Sequence, residues 1–181
     1  QIARYDAGTR ATEVLVEYSE AAYGSVDVIP DGPEHCIVVN SSYWHVSRIA
    51  YATGQSTLIA GTGEQGSTDD GGPAVAARLA YPVAIASDGG GNLLIAEQLG
   101  SRVRRVDGAG IIGTVAGTGR NVPDETSGPA TSAWLGAEFI AVDGDGNVFL
   151  ARSNHVLRID AVSGELSIVA GTGEDGFGGD G

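Results

Sequence analysis

Asp143, Asp145 and Asn147 stand two residues apart, the Asp-x-Asp-x-Asn order that opens many oxygen-ligand calcium loops. Hard oxygen donors at that spacing can curl round one cation, and calcium is the one cofactor the sequence offers. A calcium loop of this kind closes with a bidentate Glu at its twelfth position, where Asn154 stands, and the matching turn one repeat earlier reads Asp88-Gly89-Gly90-Gly91-Asn92. A hairpin turn accounts for the same residues, so no metal and no cofactor is assigned. The acids Asp69 and Asp70 are read as solvated loop.

Other candidate groups are weighed in the same way. Three histidines can make a zinc site, but His45 and His155 fall at equivalent strand positions two repeats apart, and His35 lies in a hairpin turn. They are not expected to converge. The single cysteine, Cys36, sits in the apolar run Cys36-Ile37-Val38-Val39 and reads as a buried thiol. Its sequence neighbour His35 points to the opposite face of a strand and is a poor base for it. No Ser-His-Asp spacing is evident, so no catalytic residue is assigned. Asn40-Ser41-Ser42 is an N-glycosylation sequon at the end of a strand, accessible if the protein is secreted in a eukaryote. Tyr43 and Trp44 follow it and Trp134 lies in a linker, where exposed aromatics could anchor a partner or pack between repeats. Arg4, Arg48, Arg105 and Arg158 recur at one repeat position. They could form an array for an anionic ligand. The preferred reading is structural, each arginine packing on its own unit and bonding backbone or a carboxylate.

The elements that must position these groups are repeats. Ala60-Gly61-Thr62-Gly63 returns 56 residues later at Ala116 to Gly119 and 54 after that at Ala170 to Gly173. Each copy ends a β-rich run, and Gly61, Gly63, Gly117, Gly119, Gly171 and Gly173 let the backbone turn where a side chain would clash. Taken as a ruler, the motif aligns four strands per repeat. The first strands are Val26–Ile29, Pro82–Ala86 and Phe139–Val142, and the second Cys36–Val39, Leu93–Ala96 and Val148–Ala151. The third are Ile2–Asp6, Val46–Ala50, Val103–Asp107 and Val156–Asp160, and the fourth Glu13–Val16, Ser56–Ile59, Ile112–Val115 and Leu166–Val169. Turns rich in Asp, Gly and Asn join the first to the second. Two linkers contain Gly-Pro-Ala, at Gly72 to Ala74 and Gly128 to Ala130.

Four-stranded antiparallel units at this period predict an all-β chain, a β-propeller of about three and a half blades. Residues 1–18 supply the last two strands of one blade, 24–63, 82–119 and 137–173 are complete blades, and 174–181 is a truncated linker. The inner strands offer mostly Val, Ile, Ala and Phe, with Asp27 the exception. Three and a half blades cannot close a ring, so further blades, of this chain or another, are expected to complete it.

Composition agrees. At 181 residues, 42 % of them hydrophobic, the chain can bury a core, and its 29 glycines suit many tight turns. A net charge of −13 argues against nucleic acid, whose phosphates are neutralised by Lys and Arg, and against anionic membranes. No transmembrane run is present, so direct membrane insertion is not expected.

The run from Gly61 through Gly-Pro-Ala, Ala77-Arg78-Leu79, Pro82 to Asp88, Gly91 to Glu97 and Arg102 to Asp107 resembles the NHL repeat. The resemblance extends over about residues 24 to 181, with the first repeat degenerate. It implies a propeller of six blades. Where the family commonly has Asp after the second strand, this chain has Asn40, Glu97 and Arg152. The resulting expectation is a non-enzymatic scaffold that binds protein or glycan partners outside the cell or at its surface. The alternative is a propeller enzyme of lyase or lactonase type with a divalent metal at the central channel.

Overall fold

The computed structural model describes residues 2–6, 11–16, 26–119, 127–152 and 154–173, and the side chains of 27–119, 127–152 and 154–173. An antiparallel pair, β1 (Ile2–Asp6) and β2 (Ala11–Val16), precedes three four-stranded blades. The first blade is β3 (Val26–Asp31), β4 (His35–Asn40), β5 (His45–Ala50) and β6 (Ser56–Ala60). The second is β7 (Pro82–Ser87), β8 (Leu93–Glu97), β9 (Arg102–Val106) and β10 (Ile112–Ala116). A short strand, β11 (Gly128–Pro129), leads into the third: β12 (Phe139–Val142), β13 (Val148–Arg152), β14 (His155–Ile159) and β15 (Glu165–Ala170). Every blade is a meander with consecutive strands adjacent and antiparallel. No helix among the described residues is long and apolar enough to cross a membrane.

The blades bury their faces on one another. One core joins Val39, Val46 and Ala60 of the first blade to Ile85, Ile95 and Val106 of the second, and another joins Val83, Leu94 and Val103 to Leu150, Leu157 and Leu166 of the third. The innermost strand β7 packs against both β3 and β12, so Pro82 to Ala86 are all buried. That explains why this strand is apolar without alternation, since both its faces are covered. Asp27 ties two inner strands together: its Oδ2 accepts the Ile85 N–H at 2.9 Å.

The ruler motif has a geometric cause. In the fourth strand of each complete blade one residue bulges out of the ladder just before the motif: Val46 pairs Ala60 and Ser47 pairs Leu58, leaving Ile59 over, and Val115 and Val169 are left over in the same way, as is Leu15 in β2, which no motif follows. A Cβ on Gly61, Gly117 or Gly171, all at positive φ, would overlap the carbonyl oxygen of Trp44, Ser101 or Asn154. Only glycine permits that approach.

The Gly-Pro-Ala linkers are more than polar loop. Gly71 and Gly72 exchange backbone hydrogen bonds with Ile112 at 2.8 and 3.0 Å, and Gly128 and Pro129 pair with Leu166 and Glu165. Each linker is therefore a clip on the outer strand of the blade that follows. A short 3-10 turn, Ala74–Ala76 or Ala130–Ser132, then drops Ala74 and Ala77, or Ala130 and Ala133, into the core between blades.

Candidate functional site

The meander sorts loops to two ends. Hairpins between first and second strands, and turns between third and fourth, lie at one end; loops between second and third strands, and the linkers between blades, lie at the other.

At the hairpin end, the turns use their own polar groups. Asp88 Oδ1 accepts N–H bonds from Gly90 at 2.8 Å and Asn92 at 3.1 Å, while its Oδ2 accepts Asn92 Nδ2 at 2.6 Å. Asp143 repeats the pattern with Asp145 and Asn147 at 3.0 and 2.9 Å and Asn147 Nδ2 at 2.8 Å. The hydrogen bond from Asn147 leads in holding the Asp143 carboxyl below its ordinary range. Asn147 Oδ1 in turn accepts Arg158 Nη2 at 2.8 Å and the Ala161 N–H at 3.0 Å. Of the Asp-x-Asp-x-Asn residues, the first and third are thus bonded to each other, and Asp145 occupies the place that Gly90 fills one blade earlier. No group of three or more His, Cys, Asp or Glu among the described residues is placed to hold a metal.

The repeated arginines also lie towards this end. Arg48 Nε meets Asp31 at 2.5 Å and Arg158 Nη2 meets Asp160 at 2.8 Å, each within its own blade. Arg105 is exposed and lines a cleft of about 330 Å³ between the second and third blades, together with Asp88 and Asp160. Arg4 lies in β1 opposite Glu13, and its side chain falls outside the described residues. Asp160 also caps its turn: the Ser163 and Val162 N–H groups, then the Ser163 hydroxyl and Arg158, pull its carboxyl down to about 2.

The loop end holds a polar cluster built on two buried charges. Arg104 and Glu97 are both 0 % exposed, which makes their pairing obligatory. Arg104 Nη1 lies 3.5 Å from Glu97 Oε1, and Nη2 lies 2.7 Å from Asp70 and 3.1 Å from the Thr68 carbonyl. Glu97 also accepts the Ser67 hydroxyl at 2.6 Å and the Ala80 N–H at 3.3 Å. Burial pushes the Glu97 carboxyl up, against the opposing pull of Ser67 and Arg104. Arg102 reaches the Ser67 carbonyl and hydroxyl, both at 3.2 Å. Asp70 is exposed, as expected from the sequence, and in addition fastens the linker to Arg104.

This cluster was not legible in the arginine array, because Arg104 faces away from its neighbour Arg105. The signal lay elsewhere. Arg104 stands where the other complete blades have Ser47 and Leu157, and Glu97 stands where they have Asn40 and Arg152. Opposite charges arriving together, in the one blade preceded by Asp69-Asp70, mark a local ion pair. In the third blade Arg152 instead gives Nη1 to the Trp134 carbonyl at 2.6 Å and lies 4.7 Å from that indole ring, which covers the linker aromatic.

The sequon expectation requires correction. Asn40 is 2 % exposed, and its Oδ1 accepts the Ser42 N–H at 3.0 Å to cap the 3-10 turn Ser41–Tyr43, so the amide is not offered to a glycan in the folded chain. The histidines stay apart: His45 and His155 begin β5 and β14 of different blades, and His35 begins β4 at the hairpin end. Cys36 is buried beside Val38 and Ile49, and burial pushes its thiol up.

Enclosed side-chain atoms without a hydrogen-bond partner among the described residues are Arg102 Nε, Arg104 Nε and Thr114 Oγ1 in the second blade, and two more in one loop of the first. Trp44 adopts φ 47, the left-handed region, where the equivalent residue of the next blade is Ser101 at φ 46. Trp44 Nε1 and His45 Nδ1 are enclosed yet have no hydrogen-bond partner among the described residues, and the His45 ring stands 5.9 Å from that of Tyr43, itself exposed.

No protein-family model and no curated protein matches the chain. Solved structures do. A structural genomics protein of unknown function from Bacteroides thetaiotaomicron superposes with a TM-score of 0.69 at 18 % identity, over 92 % of this chain and 42 % of that one. An auxiliary nutrient binding protein from Bacteroides ovatus gives 0.61 at 16 %, over 82 % and 39 %, and virginiamycin B lyase from Staphylococcus aureus 0.55 at 15 %, over 93 % and 47 %. The chain spans less than half the length of each of these. Together with the antiparallel four-stranded blades, the likeness establishes the fold as that of β-propeller blades.

Proposed function

We propose that the chain is part of a non-enzymatic, NHL-type propeller that binds a protein or glycan partner outside the cell, through the end bearing the loops between blades. The observation that carries this reading is the unpartnered pair Trp44 Nε1 and His45 Nδ1. An enclosed N–H without a partner costs about 1–3 kcal/mol, and a bulky residue in the left-handed region about 1–2 kcal/mol more. Ser101 makes the same turn without an indole, so the fold does not ask for Trp44 there. Costs that the fold does not require point to a ligand that recovers them. An exposed phenol with an imidazole ring 5.9 Å away, next to an indole in sequence, suits a sugar ring or a peptide side chain. At the hairpin end the turns consume their own carboxylates, and Asp27 is engaged on an inner strand, which favours binding over metal-dependent lysis. The extracellular placement draws support from neighbours described as auxiliary nutrient binding proteins and as the extracellular domain of a two-component system from Bacteroides thetaiotaomicron.

The test is a glycan array and an extracellular-protein array probed with the wild type, Trp44→Ala and Arg105→Ala. A ligand retained by Arg105→Ala and lost by Trp44→Ala supports the assignment. Ligands indifferent to Trp44, or consumed on incubation with magnesium, would overturn it.

A further inference from the structure

Two blades have their outer edge closed by the chain itself. Ile112 of β10 exchanges hydrogen bonds with Gly71 and Gly72, and the Ala74 N–H reaches the Gly110 carbonyl at 2.8 Å. On β15, Gly128 and Pro129 pair with Leu166 and Glu165, and the Ala130 N–H reaches the Gly164 carbonyl at 3.0 Å. The side chains beneath these clips are covered: Ile112 is 0 % and Leu166 2 % exposed.

The equivalent edge of the first blade is β6. Ser56 pairs with Ile49 as Ile112 pairs with Val106 and Leu166 with Ile159, so Ser56 is the matching position. The turn before it matches as well, with Gly54 at φ 67 against 76 for Gly110 and 70 for Gly164. Ser56, Thr57 and Leu58 are all exposed, and among the described residues nothing pairs with the outer side of β6. The sequence before this blade, from Glu17 to Gly24, contains no Gly-Pro-Ala.

We propose that the outer edge of β6 is a strand-addition site for an extended Gly-Pro-Ala-type segment of a partner polypeptide. The chain shows the occupant's chemistry on the sister edges. On β10 Gly71 and Gly72 exchange N–H and C=O bonds with the central edge residue, and on β15 Gly128 pairs with it; in both a proline follows where no N–H is wanted, and small apolar residues after it cover that residue's side chain. At β6 the outward N–H and C=O of Ser56 and the carbonyl of Gly54 take the parts of Ile112 and Gly110. The incoming strand runs antiparallel, and its alanines lie over Ser56.

A fluorescently labelled peptide with the sequence Ser-Thr-Asp-Asp-Gly-Gly-Pro-Ala-Val-Ala-Ala, that of residues 67–77, is the probe, read by anisotropy against the whole chain. Saturable binding is expected. Ser56→Pro removes the outward N–H at an edge position where proline is tolerated, and should weaken binding about tenfold or more. Ser56→Ile, which restores the apolar residue of the sister blades, should tighten it. In the wild type, the Ser56 amide should gain hydrogen-exchange protection on adding peptide, a readout independent of any variant's folding. Absence of saturable binding, or binding without that protection, overturns the proposal. So does a dimer of this chain that Ser56→Pro abolishes while the peptide stays unbound, since the occupant is then a second copy.

Discussion

The Arg104 guanidinium is enclosed between Glu97 and the linker acid Asp70, so each charge there depends on the others. Replacing Arg104 with Met leaves Glu97 buried and unpaired, and should destabilise the chain by about 3–5 kcal/mol in urea unfolding. Glu97→Leu combined with Arg104→Met should cost much less than the two single changes added together. Arg105→Ala, one residue along on the exposed face, should stay within about 0.5 kcal/mol. Asp160 gives a pH signature. Its folded carboxyl titrates at about 2, below its unfolded value near 3.9, so its stabilising effect is present above that value and lost as pH falls from about 4 towards 2. Asp160→Asn should flatten acid unfolding over that window; an unchanged acid limb would show that its turn bonds do not persist in solution. These roles were half legible. Asp143, Asn147 and Asp160 lie in local turns that spacing alone can suggest, but the partners of Arg104 sit 7 and 34 residues away, and only folding brings them together.

At the scale of the element, the two glycines of the ruler motif have different work, and substitution separates them. Gly117→Ala puts a Cβ into the Ser101 carbonyl, which must move, so its cost in thermal unfolding should run well above the roughly 1–2 kcal/mol of left-handed strain alone. Gly63→Ala meets the Tyr43 carbonyl only at 3.8 Å and should show that strain and little more. Equal effects would mean that the backbone approach is not what fixes the motif. The strands themselves were readable because apolar runs end on turn residues with fixed backbone needs. The observed bounds extend or trim the expected ones by a residue or two, as at β4, which runs from His35 to Asn40. The clips were not readable. A two-residue strand has no periodicity, and Gly-Pro-Ala looks like loop until an edge is present to receive it.

For the whole molecule, the third blade carries exposed apolar side chains. Ala60 and Ala116 are 0 % and 1 % exposed, but the equivalent Ala170 is open, and Phe139 and Val169 are 67 % and 48 % exposed. An apolar face of that kind should make the 181-residue chain self-associate, seen as a weight-average mass that rises with concentration in sedimentation. Phe139→Lys should reduce that rise; an unchanged profile would mean that the contact lies elsewhere. Sequence by itself determined the repeat, the strand order and the all-β class, because these follow from turn chemistry and apolar spacing within about fifty residues. Tertiary structure alone decided that Asn40 is buried, that Arg104 rather than Arg105 is enclosed, and that, among the described residues, Trp44 and His45 keep unpartnered nitrogens and nothing pairs with the edge of β6 where its sister edges are clipped. Each of those depends on what a neighbouring blade or linker covers, and coverage is set by packing across the chain, not by the order of residues along it.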